Sequence, residues 1–215
     1  MTDRSAILNE IERTGVVAIV RSDSADQLVE IVEALHAGGL TCIEITMTTP
    51  GALDAIHAAS KRFDGRCAIG VGTVLDSETA RAAILAGARF VVAPIVDLPT
   101  LAMCRRYSVP AIPGAFTPTE IVRAWQNGAD VVKVFPATKL GPEFIRDLRG
   151  PLPQIKLTPT GGVSLDNAGA FIRAGAVAVG VGSALISKDA VRSGDLAPLT
   201  TRAAEFLRAV AEARC

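Results

Sequence analysis

Short apolar runs recur along the chain and alternate with longer stretches of helical periodicity. Eight runs rich in valine and isoleucine predict strands, at residues 15–21, 42–48, 68–74, 89–95, 109–115, 131–137, 155–162 and 177–185. The stretches between them, such as residues 24–38 and 77–88, predict helices. Four of these helices are expected to end at a glycine, in the segments HAGGL, LAGAR, QNGAD and RAGAV.

Strands that alternate with helices predict right-handed crossovers and a parallel sheet. Eight such units are the number that closes a (β/α)8 TIM barrel. We therefore expect an α/β protein with a single domain over residues 1–215, with extra helices at residues 1–14 and about 199–213. The alternative is an open doubly wound sheet, which is disfavoured because no GxGxxG motif follows the first strand.

The second predicted strand alternates clearly between apolar and polar residues. Ile43 and Ile45 lie on one face and Glu44 lies on the other. Because the apolar face of a barrel strand meets the surrounding helices, we expect Glu44 to point toward the barrel axis. The same alternation in the sixth strand turns Lys133 and Phe135 inward.

A lysine inside an apolar strand requires an explanation, since lysine is almost never fully buried without a partner. Apolar surroundings lower the pKa of a lysine from its ordinary value of about 10.4, and the neutral amine can then condense with a ketone to give an iminium. Glu44 would carry protons for this reaction. The alternative is a buried ion pair between Lys133 and Glu44 that merely fills the barrel. Of the competing lysines, Lys156 is expected at the opposite end of the barrel and Lys139 in a solvated loop.

Glycine-rich turns follow the last two predicted strands. The seventh strand ends in TPTGG (158–162), and the eighth contains GVGSAL (180–185). Turns of this kind leave backbone N–H groups free for an anion, and the loops after strands seven and eight of barrels often hold phosphate. The candidate phosphate ligands are Gly161, Gly162, Gly182 and Ser183. Alternatively, these glycines only relieve crowding at the starts of helices.

Composition narrows the classes of function. The 215 residues are 49% hydrophobic with 22 basic and 22 acidic residues, so no basic surface for nucleic acid or an anionic membrane is expected. No apolar run is long enough to span a bilayer, and the acidic start does not read as a signal peptide, which predicts a cytoplasmic protein. The four cysteines form no CxxC pair and are expected to be free, mostly buried thiols. His36 and His57 are the only histidines, and both fall in helical segments, so we expect no metal and no cofactor.

Five segments occur together in an order that is characteristic of one family. Glu44 in EITMTTP, Thr73 in GVGTVL, Lys133 in VVKVFPA, Thr160 in PTGG and Ser183 in GVGSAL resemble the bacterial 2-keto-3-deoxy-6-phosphogluconate (KDPG) aldolases. That family also includes 4-hydroxy-2-oxoglutarate (KHG) and 2-keto-3-deoxy-6-phosphogalactonate (KDPGal) aldolases. The resemblance extends from about residue 15 to residue 187. It implies a metal-free class I aldolase, usually a homotrimer, that cleaves a phosphorylated 2-keto acid to pyruvate and glyceraldehyde 3-phosphate.

The resemblance also implies roles for individual residues. Lys133 resembles the Schiff-base lysine and Glu44 the general acid and base. Thr73 and Thr160 would line the pyruvate end of the site. Gly161, Gly162 and Ser183 would hold the phosphate.

The chain departs from the family pattern at Thr48. Several phosphogluconate-cleaving members have an arginine there, whereas Arg21 of this chain resembles an arginine of the phosphogalactonate-cleaving members. Arg21 is therefore the expected partner of the substrate carboxylate; the alternative is a surface arginine paired with Asp23 or Glu44. Two other functions remain open from the residues: an isomerase that uses Lys133 and Glu44 only for proton transfer, and a non-catalytic phosphate-binding barrel.

Overall fold

The computed structural model describes residues 4–22 and 27–215. The strands within these ranges are β1 (Val16–Val20), β2 (Cys42–Thr46), β3 (Ala68–Gly72), β4 (Val91–Val92), β5 (Ala111–Ile112), β6 (Gly114–Ala115), β7 (Val132–Val134), β8 (Leu157–Pro159) and β9 (Val179–Val181). The helices are α1 (Arg4–Thr14), α2 (Leu28–Ala37), α3 (Ala52–Arg62), α4 (Ser77–Ala86), α5 (Leu98–Arg106), α6 (Pro118–Gln126), α7 (Gly141–Arg149), α8 (Leu165–Arg173), α9 (Lys188–Ser193) and α10 (Ala197–Glu212). A single 3₁₀ turn, Ala137–Lys139, follows β7.

Every predicted strand run contains a strand of the structure. The fifth run is divided into β5 and β6 at Pro113, which has no N–H group to donate to a neighbouring strand. The extra helices at the two ends are confirmed as α1 and α10, whereas the short helix α9 was not predicted. The expected helix-ending glycines, Gly39, Gly87, Gly128 and Gly175, all have positive φ angles.

All strand pairs in the two sheets are parallel. One sheet has the order β5-β4-β3-β2-β1-β9, and the other has the order β6-β7-β8. A parallel bridge between Thr160 and Gly180 links the end of β8 to β9. The predicted α/β class is therefore confirmed. The strands form an open six-stranded sheet and a three-stranded sheet, so the closed eight-stranded barrel is not confirmed.

Two apolar clusters lie on opposite faces of the strands. The larger cluster joins alternate strand residues such as Val16, Ile43 and Val132 to the inner sides of the helices. The smaller cluster contains the residues between them, such as Val17 and Val131, on the face turned away from those helices. We call this second face the inner face. The expected alternation along the strands is thus present.

Helix α1 covers the amino-terminal end of the inner face. Its residues Ile7 and Ile11 belong to the smaller apolar cluster. Arg4 donates two hydrogen bonds to Asp130, at 3.0 and 2.7 Å. Lys156 forms an ion pair of 2.5 Å with Glu12 of this helix, as expected for a lysine at the end of the strands away from the carboxyl termini.

Cys42, Cys67 and Cys104 are buried free thiols, and Cys215 is an exposed one. His36 and His57 lie in α2 and α3, as predicted. Within residues 4–22 and 27–215, no three His, Cys, Asp or Glu side chains are grouped as a metal site. No helix in the same ranges has both the length and the apolar character needed to cross a membrane.

Candidate active site

Lys133 lies at the centre of β7 and is 6% exposed. Its strand is paired on both sides, with Gly114 and Thr158 opposite Lys133. Val132 and Val134 pack in the larger cluster with the helices, so alternation directs Lys133 to the inner face. There its ammonium nitrogen lies 4.6 Å from the centre of the Phe135 ring, within the range of a cation–π contact. Phe135 thus faces the same space as Lys133, as predicted.

Glu44 projects from the middle of β2 and is 2% exposed. Ile19 of β1 and Gly70 of β3 are its neighbours in the two adjacent strands. Its carboxyl end lies against the backbone of Gly72, so closely that a methyl group on Gly72 would overlap it. The sequence prediction that Glu44 faces inward is therefore consistent with the geometry.

The two groups shift each other's ionisation less than burial does. Burial raises the pKa of Glu44, while the positive charges of Lys133 and then Arg21 oppose the rise. Burial lowers the pKa of Lys133; the Glu44 charge opposes this shift and the Arg21 charge adds to it. Among the ion pairs of the described residues, none includes Glu44 or Lys133. A contact ion pair that fills the interior is therefore not the arrangement observed.

Arg21 directly follows β1 and is exposed. It lies at the carboxyl end of β1, and its charge acts on both Glu44 and Lys133. The next residue, Ser22, donates its backbone N–H to the hydroxyl of buried Thr49 at 3.2 Å, so the chain after Arg21 is anchored to the segment after β2. Asp23, one alternative partner of Arg21, lies outside the described residues. Thr48 is exposed, and its hydroxyl lies 2.9 Å from that of Thr46.

Two threonines of the predicted pyruvate end lie at strand ends. Thr73 follows β3 with a φ of 59°, a left-handed conformation that costs a β-branched residue about 1–3 kcal/mol. Thr160 follows β8, and its hydroxyl lies against Gly180 of β9. The hydroxyl of Thr158, one layer below, donates to the carbonyl of Ala178 at 3.0 Å. Within the described part of the chain, neither the Thr73 nor the Thr160 hydroxyl forms such a bond.

The four candidate phosphate ligands lie in two adjacent turns. Gly161 and Gly162 have φ angles of 90° and 74°, and the bridge from Thr160 to Gly180 brings their turn beside Gly182 and Ser183. In the described residues, none of the four backbone N–H groups donates a hydrogen bond to the protein. A Cβ atom at Gly161 or Gly182 would meet no atom closer than 3.6 Å. A Cβ at Gly162 would meet the Cα of Thr138 at 2.9 Å. Free donors and open space, which an anion site needs, are thus combined at Gly161 and Gly182.

Sequence reasoning missed two residues that hold this site together. Thr49 anchors Ser22, and Gly72 provides the surface on which the Glu44 carboxyl lies. For Gly72 a signal existed: a glycine inside a strand often marks a close approach by another group. No sequence pattern pointed to Thr49, because its bond joins two loops that are distant in the chain.

The family model and curated relatives that match this chain carry the names of one aldolase family. A family model described as "KDPG and KHG aldolase" matches residues 7–201. The 2-dehydro-3-deoxy-phosphogluconate aldolase of Treponema pallidum is 35% identical over 95% of this chain and 97% of its own length. The protein of the same name from Pseudomonas aeruginosa is 36% identical over 93% of this chain and 90% of its own length. The 2-dehydro-3-deoxy-6-phosphogalactonate aldolase of Escherichia coli K12 is 31% identical over 92% and 95% of the two chains.

Solved structures agree with these relatives. A native KDPGal structure matches with a TM-score of 0.87 and 29% identity over 93% of this chain and 95% of that one. A KDPG aldolase from Legionella pneumophila, with pyruvate captured as a covalent carbinolamine, matches with a TM-score of 0.86 and 26% identity over 93% and 97%. A protein cage designed by fusing symmetric oligomeric domains matches with a TM-score of 0.86 and 29% identity over 93% and 73%.

The buried amine of Lys133 has a consequence for stability. Because its pKa is lowered in the folded state, the unfolded chain binds more protons between the folded and unfolded pKa values, and stability rises with pH in that window. Replacement Lys133→Met should therefore raise the free energy of unfolding at neutral pH. The gain should shrink as the pH rises toward about 10.4, the ordinary lysine value.

Urea unfolding of both proteins at a series of pH values would measure this gain. Lys156→Met is the matched control, since Lys156 is half-exposed and paired with Glu12; it should give no gain. A Lys133→Met protein that is less stable than wild type throughout would contradict the assignment of a costly buried ammonium.

Proposed function

Because the chain belongs to the KDPG and KHG aldolase family, we propose that it cleaves a 2-keto-3-deoxy-6-phospho sugar acid to pyruvate and glyceraldehyde 3-phosphate. The enzyme is an aldehyde-lyase of the class I type in this proposal. The observation that carries it is Lys133. A lysine 6% exposed on the inner face, with a lowered pKa and without a contact ion pair among the described residues, is an amine prepared to attack a carbonyl.

Covalent catalysis by Lys133 accounts for the bond that breaks. The neutral amine adds to the C2 ketone to give a carbinolamine, and loss of water gives an iminium. When the C4 hydroxyl loses its proton, the C3–C4 bond breaks, its electrons move to the iminium nitrogen, and glyceraldehyde 3-phosphate leaves. The remaining enamine takes a proton at C3, and hydrolysis releases pyruvate and the free amine.

Glu44 is the proton carrier in this sequence. Burial raises its pKa, so both its protonated and ionised forms are accessible at a pH closer to neutral than for an ordinary glutamate. It can therefore accept the C4 hydroxyl proton and return a proton at C3. Its position beside Lys133 on the inner face leaves it no surface role.

The remaining candidates divide between the two ends of the substrate. We assign the carboxylate to Arg21, whose planar guanidinium can hold both oxygens. Thr73, Thr160 and Phe135 line the pyruvate portion. The phosphate is assigned to the free N–H groups of Gly161, Gly162, Gly182 and Ser183, together with the Ser183 hydroxyl, which Ser183→Ala would remove.

The family contains enzymes for both substrate epimers. Relatives named for phosphogluconate and for phosphogalactonate both align over nearly the whole chain. Thr48 is bonded to Thr46 and offers no positive charge, which leaves Arg21 as the cation assigned to the carboxylate. Comparison of kcat/KM for the two phosphorylated epimers and for 4-hydroxy-2-oxoglutarate identifies the preferred substrate.

For the fold, we propose a closed (β/α)8 barrel within one domain. The strand segments β5 and β6 lie on either side of Pro113, one paired with β4 and the other with β7. At the other edge, the Thr160–Gly180 bridge and a bond from Val177 N–H to the Leu157 carbonyl link β8 to β9. Joining the two sheets at these points gives eight strand positions in a ring.

A homotrimer in the cytoplasm is also part of the proposal. Leu75, Ile95 and Phe116 are 55%, 50% and 42% exposed, and they follow the neighbouring strands β3, β4 and β6. Large apolar side chains grouped on a surface favour a protein interface. A matching structure comes from a cage built of symmetric oligomeric domains. Free buried thiols favour a reducing compartment.

Borohydride reduction in the presence of pyruvate tests the proposed chemistry. We expect a stable pyruvyl adduct on the peptide that contains Lys133, because borohydride reduces the iminium to an amine. Lys156→Arg and Lys139→Arg should retain the adduct, and Lys133→Arg should lose it. An adduct on another lysine would contradict the role of Lys133, and no adduct would favour the isomerase or the non-catalytic barrel.

Arg21→Leu tests the carboxylate assignment. Loss of one charged partner costs about 2–5 kcal/mol, and because Arg21 is exposed we expect the lower end, roughly a 30-fold increase in the pyruvate concentration for half-maximal trapping. Ser183→Ala should instead raise KM for the phosphorylated substrate without changing pyruvate trapping. Unchanged trapping in Arg21→Leu would show that the carboxylate is held elsewhere.

The oligomeric state is tested by light scattering at micromolar concentration. Wild type should have three times the chain mass. Ile95→Asp, which places a charge in the apolar surface, should give monomers, whereas Leu85→Asp, at an exposed site on α4, should remain trimeric. A monomeric wild type would contradict the trimer.

A further inference from the structure

Glycines occupy three strand positions on the inner face that adjacent side chains cross. A Cβ atom on Gly70 would collide with the ring of Phe90, one on Gly72 with the carboxyl end of Glu44, and one on Gly180 with the hydroxyl of Thr160. In each case the missing side chain is replaced by an inward side chain from another strand or turn. Two of the side chains that fill this space, those of Glu44 and Thr160, belong to the proposed active site.

Backbone conformation does not explain the glycine at position 72. Gly72 is the last residue of β3, and it is not among the glycines with positive φ. A glycine within a strand is unfavourable relative to a residue with a side chain, so its presence calls for another cause. The atoms nearest to a Cβ built on Gly72 are Oε1, Cδ and Cγ of Glu44. The cause is therefore space, and Glu44 fills it.

We propose that Gly72 is a positioning residue for the aldolase reaction, because its bare backbone sets where the Glu44 carboxyl group lies. This inference rests on the proposed function for the meaning of that position. Gly72 is itself held by the strand pair, since it lies opposite Thr46 and its carbonyl accepts the N–H of Met47 at 2.8 Å. The surface beneath the carboxyl is thus rigid, and only the glutamate side chain can yield.

Gly72→Ala should move the carboxyl group and leave the fold intact. The atoms that must move are the flexible end of one side chain, so the thermal midpoint should fall by only a few degrees. A displacement of about 1 Å can cost a reaction about 10²-fold. We therefore expect exchange of the pyruvate methyl protons with solvent to slow by about 10²-fold, whereas pyruvate trapping at Lys133 should change by less than about tenfold.

Gly70→Ala is the matched control on the same strand and face. Its added methyl meets the buried ring of Phe90 and not Glu44. It should lower the thermal midpoint at least as much as Gly72→Ala, because an aromatic ring in a packed core yields less readily. Exchange per folded molecule should remain close to wild type. Equal losses of exchange in the two variants would assign the effect to general strain and overturn the proposal.

A double-mutant cycle gives the decisive result even if Gly70→Ala does not fold. If Gly72 acts through Glu44, then Gly72→Ala added to Glu44→Gln should cause no further loss of exchange. The same proportional loss in both backgrounds would overturn the proposal.

A third measurement separates this inference from the proposed function. Failure of wild type to trap pyruvate would refute the aldolase, and the Gly72 contact could still be tested by titrating the ¹³C-labelled Glu44 carboxyl. Burial raises the pKa of Glu44, so displacement toward solvent in Gly72→Ala should return it toward the ordinary value. An unchanged titration would show that Gly72 does not position the carboxyl.

Discussion

The two-residue alternation of side chains along parallel strands is the constraint on which the rest of the molecule depends. Because Val132 and Val134 pack against the helices, the side chain of Lys133 between them lies on the inner face. The same constraint acts on Ile43, Glu44 and Ile45 in β2. Because the outward residues are held in a continuous apolar cluster, a shift of register by one residue would turn them away from the helices and place Glu44 and Lys133 in that cluster instead. The reactive groups are therefore oriented by the hydrophobic core rather than by contacts with each other.

Because the hydrophobic core orients Glu44 and Lys133, the two groups can be buried near each other without forming a contact ion pair. Burial disfavours the charged forms of both Glu44 and Lys133, and their mutual attraction does not reverse that effect. The Arg21 charge opposes it at Glu44 and adds to it at Lys133. A direct ion pair would stabilise both charges and remove the neutral amine that attack on a carbonyl requires. The left-handed backbone of Thr73 adds a further local cost at the same end of the strands. The apolar packing around the strands offsets these costs.

Much of this arrangement could be predicted from periodicity, and the exceptions have physical reasons. Alternating patterns placed Glu44 and Lys133 correctly, because burial of one face specifies the other. Pro113 divided a strand that the apolar pattern presented as continuous, since a missing N–H group is invisible to hydrophobicity. The sequence left Arg21 open between a partner of the substrate carboxylate and a surface arginine, and it gave no sign that Ser22 is bonded to Thr49. Contacts between loops that are distant in sequence carry no local pattern.

The two ends of the proposed substrate site use different parts of the chain for a physical reason. A carbonyl that must be attacked and protonated requires ionisable side chains, and these need rigid strands to keep them within reach of the reacting atoms. A phosphate that only has to be held can be bound by backbone N–H groups, which turns such as those at Gly161 and Gly182 leave free. Glycine serves both ends, but through opposite properties. At Gly161 and Gly182 it leaves donors and space open to a ligand, whereas at Gly72 its space is already occupied by Glu44. Gly161 and Gly182 are therefore open glycines beside a proposed ligand, whereas Gly72 is a glycine whose space is filled by a catalytic group.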